Sequence, residues 1–256
     1  TLIENQQLRV SGQVVELRGR APKLTLPQLS SLAKSNLSFE TDDLVLGGQW
    51  AFQQSPNNIS GSVDFQQISG GFRILEDGEL EVPINKMIVN AKLNASQLDV
   101  ATQLDAGTFG QANGAVRVPI IKGSQTQAWQ VHETGRLEGG LSLSVSDLTW
   151  LGPLLQGGVR TTGAGQVAVA LSGTPAQPQV QGRLFAKDLV VNHLDQGLRL
   201  EEGDVVIDFN DEQARIQKAQ FNVYYRNVPR NRILELGPLI QGFGTVSAQG
   251  VWNLNG

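Results

Sequence analysis

Apolar and polar residues alternate along most of this chain with a period of two. In the run 166–171, Val167, Val169 and Leu171 alternate with Gln166 and two alanines. Successive side chains of a β-strand point to opposite faces, so this alternation predicts strands with one apolar face. Similar runs occur at 59–65, 80–84, 87–93, 98–104, 116–120, 137–145 and 205–209. The pattern predicts an all-β chain.

Turn-forming residues separate these runs. They lie at 55–58, 76–78, 111–114, 173–175 and 201–203, where Gly, Pro, Asn or Asp favour chain reversal. Helical patterns are limited to 26–33 and 146–157, one or two turns each. We therefore expect strands joined by turns, with one or two short helices.

Glycine recurs inside the alternating runs, in phase with the apolar residues. The chain has 29 Gly in 256 residues, above the roughly 7% that is typical. A strand glycine permits a bend or a close backbone approach, so we predict an elongated, curled, trough-like sheet with a hydrophobic interior. A compact sandwich is the alternative. The glycines flanked by apolar residues two positions away are Gly12, Gly61, Gly114, Gly139, Gly182 and Gly250.

Composition excludes several classes of function. The chain has no Cys, two His and a net charge of −4, which argues against zinc ribbons, thiol chemistry and nucleic-acid binding. No apolar run reaches the ~18 residues of a membrane helix. The acidic clusters lack the ligand spacing of a Ca²⁺ loop, and no catalytic motif is present. We expect no catalytic residues, no metal, no cofactor and no nucleic-acid partner.

The segment 137–221 carries a recognisable order of elements. An alternating strand leads into Asp147-Leu148-Thr149-Trp150-Leu151-Gly152-Pro153, and a second strand ends in the run from Leu171 to Gly182, Leu-Ser-Gly-Thr-Pro-Ala-Gln-Pro-Gln-Val-Gln-Gly. Residues 151–157 also recur, with one Leu/Ile exchange, at 236–242. This segment resembles the C-terminal region of the TamB family, within the AsmA-like group that is similar to bridge-like lipid-transfer proteins. We therefore divide one continuous trough into 1–136, with weak family similarity, and 137–256, with the TamB-like repeat.

The resemblance implies a function. It implies a periplasmic trough that carries phospholipid acyl chains between the inner and outer membranes and serves outer-membrane biogenesis. It also implies a TamA-like outer-membrane barrel partner. Since the chain begins at Thr1 without a Met or a leader, we expect a piece of a longer parent anchored in the inner membrane.

The alternating residues then become the predicted lining of the groove, and the predicted helix at 146–157 becomes a possible gate across it. The predicted lining is Val63, Phe65, Val82, Ile84, Val89, Val100, Val116, Val118, Leu141, Leu143, Val167, Val169, Leu171, Val180, Leu184, Val205, Ile207, Phe209 and Phe221. The predicted gate residues are Leu148, Leu151, Leu154 and Leu155.

Other interpretations stay open at this point. The alternating residues also fit an ordinary β core, and the leucine segment fits a helix that only caps the end of the sheet. Exposed strand edges would suit an interaction module that assists barrel assembly by β-augmentation. A carbohydrate-active β-repeat would need aromatic platforms, but Trp50, Trp129, Trp150 and Trp252 are scattered along the chain.

Overall fold

A computed structural model describes residues 4–25, 39–40, 44–74, 80–123, 128–152, 158–194, 197–226 and 241–253. These residues form strands almost throughout. No helix among them is long and apolar enough to cross a membrane. The helix predicted at 26–33 and the turn predicted at 76–78 lie outside the described residues.

The described residues form seventeen strands and one 3₁₀-helix. The strands are β1 (Glu4–Ser11), β2 (Val14–Thr25), β3 (Phe39–Glu40), β4 (Val45–Ser55), β5 (Asn58–Ser69), β6 (Gly71–Ile74), β7 (Leu80–Pro83), β8 (Lys86–Leu93), β9 (Gln97–Asp105), β10 (Gln111–Lys122), β11 (Trp129–Val131), β12 (Glu138–Val145), β13 (Val159–Thr174), β14 (Gln177–His193), β15 (Leu198–Asn210), β16 (Gln213–Arg226) and β17 (Gln241–Asn253). The 3₁₀-helix, Gly107–Phe109, joins β9 to β10.

The main sheet is a long antiparallel meander that does not close into a barrel. Its order is β1-β2-β4-β5-β8-β9-β10-β12-β13-β14-β15-β16-β17, with β11 added beside β10. β3, β6 and β7 form a separate small sheet. Because β10 pairs with β12, the main sheet passes without interruption from the segment 1–136 into the segment 137–256.

The main sheet is curled and has no second layer packed against it in the described part. Leu44 is the only large side chain there that is fully buried. The accessible surface is 17306 Å², against about 11,000 Å² for a compact protein of this mass. The alternating residues are therefore not the core of a closed sandwich, and the trough-like sheet predicted from the sequence is confirmed.

The connections at the ends of the strands form two rims of the sheet, and a meander places every second connection on the same rim. The two rims differ in how many of their connections are long. Tight hairpins such as Ser55 to Asn58 and Thr174 to Gln177 lie on one rim, which we call the short-turn rim and which also carries the longer β10–β12 connection that contains β11. In the first, the Ser55 hydroxyl donates to Asn58 O, and in the second the Thr174 hydroxyl accepts from Gln177 N. The other rim, which we call the long-connection rim, carries longer segments such as 146–158 together with short ones such as 106–110.

One predicted turn and one predicted strand glycine are wrong. Residues 111–114 lie inside β10, and the chain reverses earlier, at Ala106 to Gly110. There Gly107 N donates to the Asp105 side chain, which competes successfully with the turn propensity of the Asn-Gly pair that follows. Gly12 lies in the β1–β2 turn with φ of 60°.

The turn predicted at 201–203 is also wrong, because those residues form a β-bulge inside β15. Glu202 has a φ of 50°, and Asp188 in the neighbouring β14 has a φ of 52°. At each place the strand register shifts. Each bulge inserts one residue and keeps the apolar side chains on one face although the sequence alternation changes phase there.

Candidate functional site

The register of the main sheet aligns its apolar residues into rows that cross the strands. The longest of these, the central row, runs through twelve neighbouring strands, a span of about 53 Å at ~4.8 Å per strand. Thr102 is its one polar member. The central row is Ala21, Gly48, Phe65, Val89, Thr102, Gly114, Leu141, Val169, Gly182, Phe209, Ala214 and Trp252.

Two flanking rows lie on the same face, on either side of the central row. Apart from glycine, the members of each row are aliphatic except one, which is Trp50 in the first row and Met87 in the second. One is Gly19, Trp50, Val63, Ala91, Val100, Val116, Gly139, Leu171 and Val180. The other is Met87, Leu104, Ala112, Leu143, Val167, Leu184, Ile207, Ile216 and Gly250.

These three rows contain most of the predicted lining, and Val118, Val205 and Phe221 lie on the same face in neighbouring rows. Val82 and Ile84 lie outside the strands that form these rows. Val82 belongs to β7 of the small sheet, opposite Phe72. Ile84 follows that strand, is buried, and accepts a hydrogen bond from Gln67 Nε2.

The apolar face is mostly half-buried along the middle of the sheet, where Leu141 at 45% exposure is an exception, and it is most open at its two edge strands. Val167, Val169 and Phe209 are half-buried, whereas alanines on the opposite face of β13 are exposed. At the edges, Leu8 in β1 is 67% exposed and Trp252 in β17 is 60% exposed. The face is therefore a groove that is open to solvent, with no packed layer over it in the described residues.

Glycines on this face lie beneath aromatic rings from the neighbouring strand. A side chain at Gly182 would overlap the ring of Phe209, which lies directly opposite it. Because a ring over a glycine lies low against the sheet, it projects less into the groove. The five glycine–aromatic pairs are Gly19–Trp50, Gly48–Phe65, Gly61–Phe52, Gly182–Phe209 and Gly203–Phe221.

Sequence reasoning missed this pairing and missed Trp50 and Phe52 as members of the apolar face, and it left Trp252 out of the predicted lining. Each of these aromatic residues shares the phase of its apolar neighbours, so the alternation could have included them. The glycine beneath each ring lies on another strand, and only the register identifies it.

The opposite face of the sheet is polar and carries cross-strand ion pairs. Arg117 Nε donates to Asp99 Oδ1 over 2.9 Å, and Arg183 Nε donates to Asp208 Oδ1 over 2.6 Å. Each arginine hydrogen bond lowers the pKa of its carboxyl partner below the ordinary 3.8. Charge is thus held on the outer face, where the carboxylates remain solvated.

The predicted gate segment lies on the groove face of β13, at the long-connection rim. We call its described part, Asp147 to Gly152, the crossbar. Leu148 N donates to Gly163 O over 3.0 Å, and the buried Thr161 hydroxyl donates to Leu148 O over 2.5 Å. These two bonds fix the crossbar against the end of the groove.

Side chains of the crossbar cover the groove face next to these bonds. A Leu148 methyl lies 3.7 Å from the position that a Cβ at Gly165 would take. The Trp150 ring lies 5.7 Å from that of Phe109, and Trp150 Nε1 is buried without a hydrogen-bond partner. Leu151 is half-buried and begins a helical turn, whereas Leu154 and Leu155 lie outside the described residues.

One comparison with known proteins identifies the family. The family model of the TamB N-terminal domain matches residues 9–185, more than half of the chain. The chain belongs to the TamB family. No curated protein and no solved structure matches it. The family prediction is confirmed, but the matching model is that of the N-terminal domain, whereas the resemblance pointed to the C-terminal region.

Membership of the TamB family links the chain to the translocation and assembly module. Proteins of this family span the periplasm from an anchor in the inner membrane. The match begins at residue 9, so it covers much of the segment 1–136 in which the sequence alone showed only weak similarity.

Proposed function

We propose that this TamB-family chain is a conduit for phospholipids between the inner and outer membranes, with acyl chains in the groove and head groups in solvent. The proposal includes no covalent chemistry, no cofactor and no metal. In the cell, the conduit would serve outer-membrane biogenesis beside a TamA-like barrel partner.

The observation that carries the proposal is the unbroken central row. One leaflet of a bilayer has a hydrocarbon thickness of about 15 Å, so a row of about 53 Å has room for several lipids in succession. Burial of each CH₂ group contributes about 0.8 kcal/mol, and the aliphatic rows supply that contact. A polar group without a partner would cost roughly 1–3 kcal/mol. Thr102 is the one polar side chain in the central row.

The test compares two aspartates on neighbouring residues of β13. Val169→Asp places a carboxylate in the central row, whereas Ala170→Asp places it on the exposed outer face. Native mass spectrometry and lipid extraction of each purified, folded protein measure bound phospholipid. We expect lipid on the wild-type chain and on Ala170→Asp, and its loss from Val169→Asp.

Two results would contradict the conduit. One is a folded wild-type chain, purified from lipid-containing cells, that carries no phospholipid and takes none from vesicles. The other is equal lipid on both aspartate variants, which would place the lipid away from the central row.

A further inference from the structure

The crossbar covers a part of the groove that has little side-chain bulk of its own. The residues of β13 beneath it include Gly165 and the bulge residue Gly163, whose φ is 123°. A Leu148 methyl lies 3.7 Å from the potential Cβ of Gly165, in ordinary van der Waals contact. The cross-strand row of Gly165 continues through Ala186 and Val205. Leu148 therefore occupies a shallow apolar notch, formed by Gly163, Gly165 and Ala186, that opens along this row into the groove.

Few hydrogen bonds hold the crossbar over the notch. β12 ends at Val145, opposite Gly165, so Gly163 has no register partner on β12 or β14. Its carbonyl oxygen accepts instead from Leu148 N, over 3.0 Å. The Thr161 hydroxyl donates to Leu148 O. In the described part of the chain, both hydrogen bonds between the crossbar and β13 thus meet at Leu148, the residue whose side chain fills the notch.

The closed position of the crossbar also leaves one polar group unsatisfied. Trp150 Nε1 is buried without a hydrogen-bond partner, although the Trp150 ring lies 5.7 Å from that of Phe109. A buried N–H group without a partner raises the free energy of the state that buries it. When the crossbar lifts, water replaces the two hydrogen bonds of Leu148 and also gives Trp150 Nε1 a partner. The closed and lifted positions are therefore closer in free energy than the apolar contacts alone would make them.

We propose that the notch is an acyl-chain binding site, and that the crossbar occupies it when no lipid is bound. A leucine side chain and an acyl chain present the same saturated hydrocarbon surface, so an acyl chain that advances along the Gly165 row replaces Leu148. Lipid in the notch and the closed crossbar exclude each other, which makes their binding reciprocally antagonistic. The notch has this role only if the conduit proposed above carries phospholipid, and the crossbar then regulates entry to one part of that conduit.

The test compares two leucines, one in the crossbar and one in the wall of the groove. Leu148→Ala removes the side chain that fills the notch, whereas Leu184→Ala removes a leucine of the flanking row, opposite Val167. The probe is diheptanoylphosphatidylcholine, added below its micelle concentration, and isothermal titration calorimetry measures its binding. Circular dichroism establishes that each variant is folded.

We expect Leu148→Ala to bind the probe about tenfold more tightly than the wild-type chain, because the lifted position becomes more populated. Leu184→Ala is expected to bind about tenfold less tightly, because it loses apolar contact with the acyl chain. If the wild-type chain binds the probe and Leu148→Ala binds it equally or more weakly, Leu148 is not a competitor and the notch proposal is overturned while the conduit stands. Absence of binding to all three chains would overturn both.

Amide hydrogen exchange of the wild-type chain supplies a second measurement that needs no substitution. Leu148 N is protected by its hydrogen bond to Gly163 O. We expect saturating probe to accelerate exchange at Leu148 about fivefold or more, and to leave exchange at Leu141, inside the ladder of β12, unaccelerated. Unchanged or slower exchange at Leu148 with bound probe would contradict displacement of the crossbar by lipid.

Discussion

Gly182 and Phe209 lie directly opposite each other on β14 and β15, and the Phe209 ring fills the space that a side chain at position 182 would need. The pair belongs to the central row, where a standing phenyl ring would narrow the groove. A residue without a side chain therefore determines how far an aromatic residue on another strand projects.

Gly182→Ala tests this relationship. The added methyl group would displace the Phe209 ring, at a cost of about 1–3 kcal/mol in the free energy of unfolding. Gly250→Ala is the matched control, since it adds the same group to the same face where no atom lies within 4 Å, and we expect a change within about 0.5 kcal/mol. Urea denaturation measures both, and equal losses would contradict the pairing.

Thr161→Val tests how the crossbar is held. The substitution removes the hydrogen bond to Leu148 O, so we expect a loss of about 0.5–1.5 kcal/mol in the free energy of unfolding and faster amide exchange at Leu148. Thr162→Val, one residue along on the exposed outer face, is the control. If exchange at residues 148–151 is the same in both variants, Thr161 does not fix the crossbar.

Glu202→Gly tests the bulge in β15. Glu202 has a φ of 50°, a conformation that costs a residue with a side chain about 1 kcal/mol or more, so glycine is expected to preserve or raise the thermal midpoint. Glu201→Gly, in extended backbone beside it, is expected to lower the midpoint. Deletion of Glu202 removes the inserted residue and turns Leu198 and Leu200 to the outer face, so the deleted chain should bind a hydrophobic dye.

The outer-face ion pairs predict a loss of stability in acid. Arg117 and Arg183 hold the pKa of Asp99 and Asp208 below the ordinary 3.8. Since these carboxyls bind protons more weakly in the folded state, their contribution is complete above the ordinary pKa and is lost as the pH falls through the depressed values. The double variant Asp99→Asn/Asp208→Asn should flatten that part of the pH–stability curve. An unchanged slope would show that other carboxyls determine how stability depends on pH in acid.

Much of the fold follows from local sequence. Alternation identified the strands, and the turn residues at 55–58 and 173–175 identified two hairpins. Alternation does not show which sheet a strand joins, so Val82 was assigned to the groove although β7 pairs in the small sheet.

The bulges and glycine–aromatic pairs needed more than local sequence. The break in phase between Leu200 and Gly203 is visible in the sequence, but two acidic residues before a glycine also fit a turn. Only the neighbouring strands show that the chain continues straight through Glu202. The Gly203–Phe221 contact likewise joins residues on different strands, and no spacing in the sequence encodes it.

The difference between the two rims has a consequence for how chains of this kind vary in length. Residues added within a connection of the long-connection rim leave the register of the flanking strands unchanged, because loops absorb insertions at little cost. Residues added to a hairpin of the short-turn rim, such as 174–177, would shift a strand and turn its apolar side chains outward. Growth and loss of sequence are therefore expected in the connections that are already long, most of which lie on the long-connection rim, while the tight hairpins keep their length.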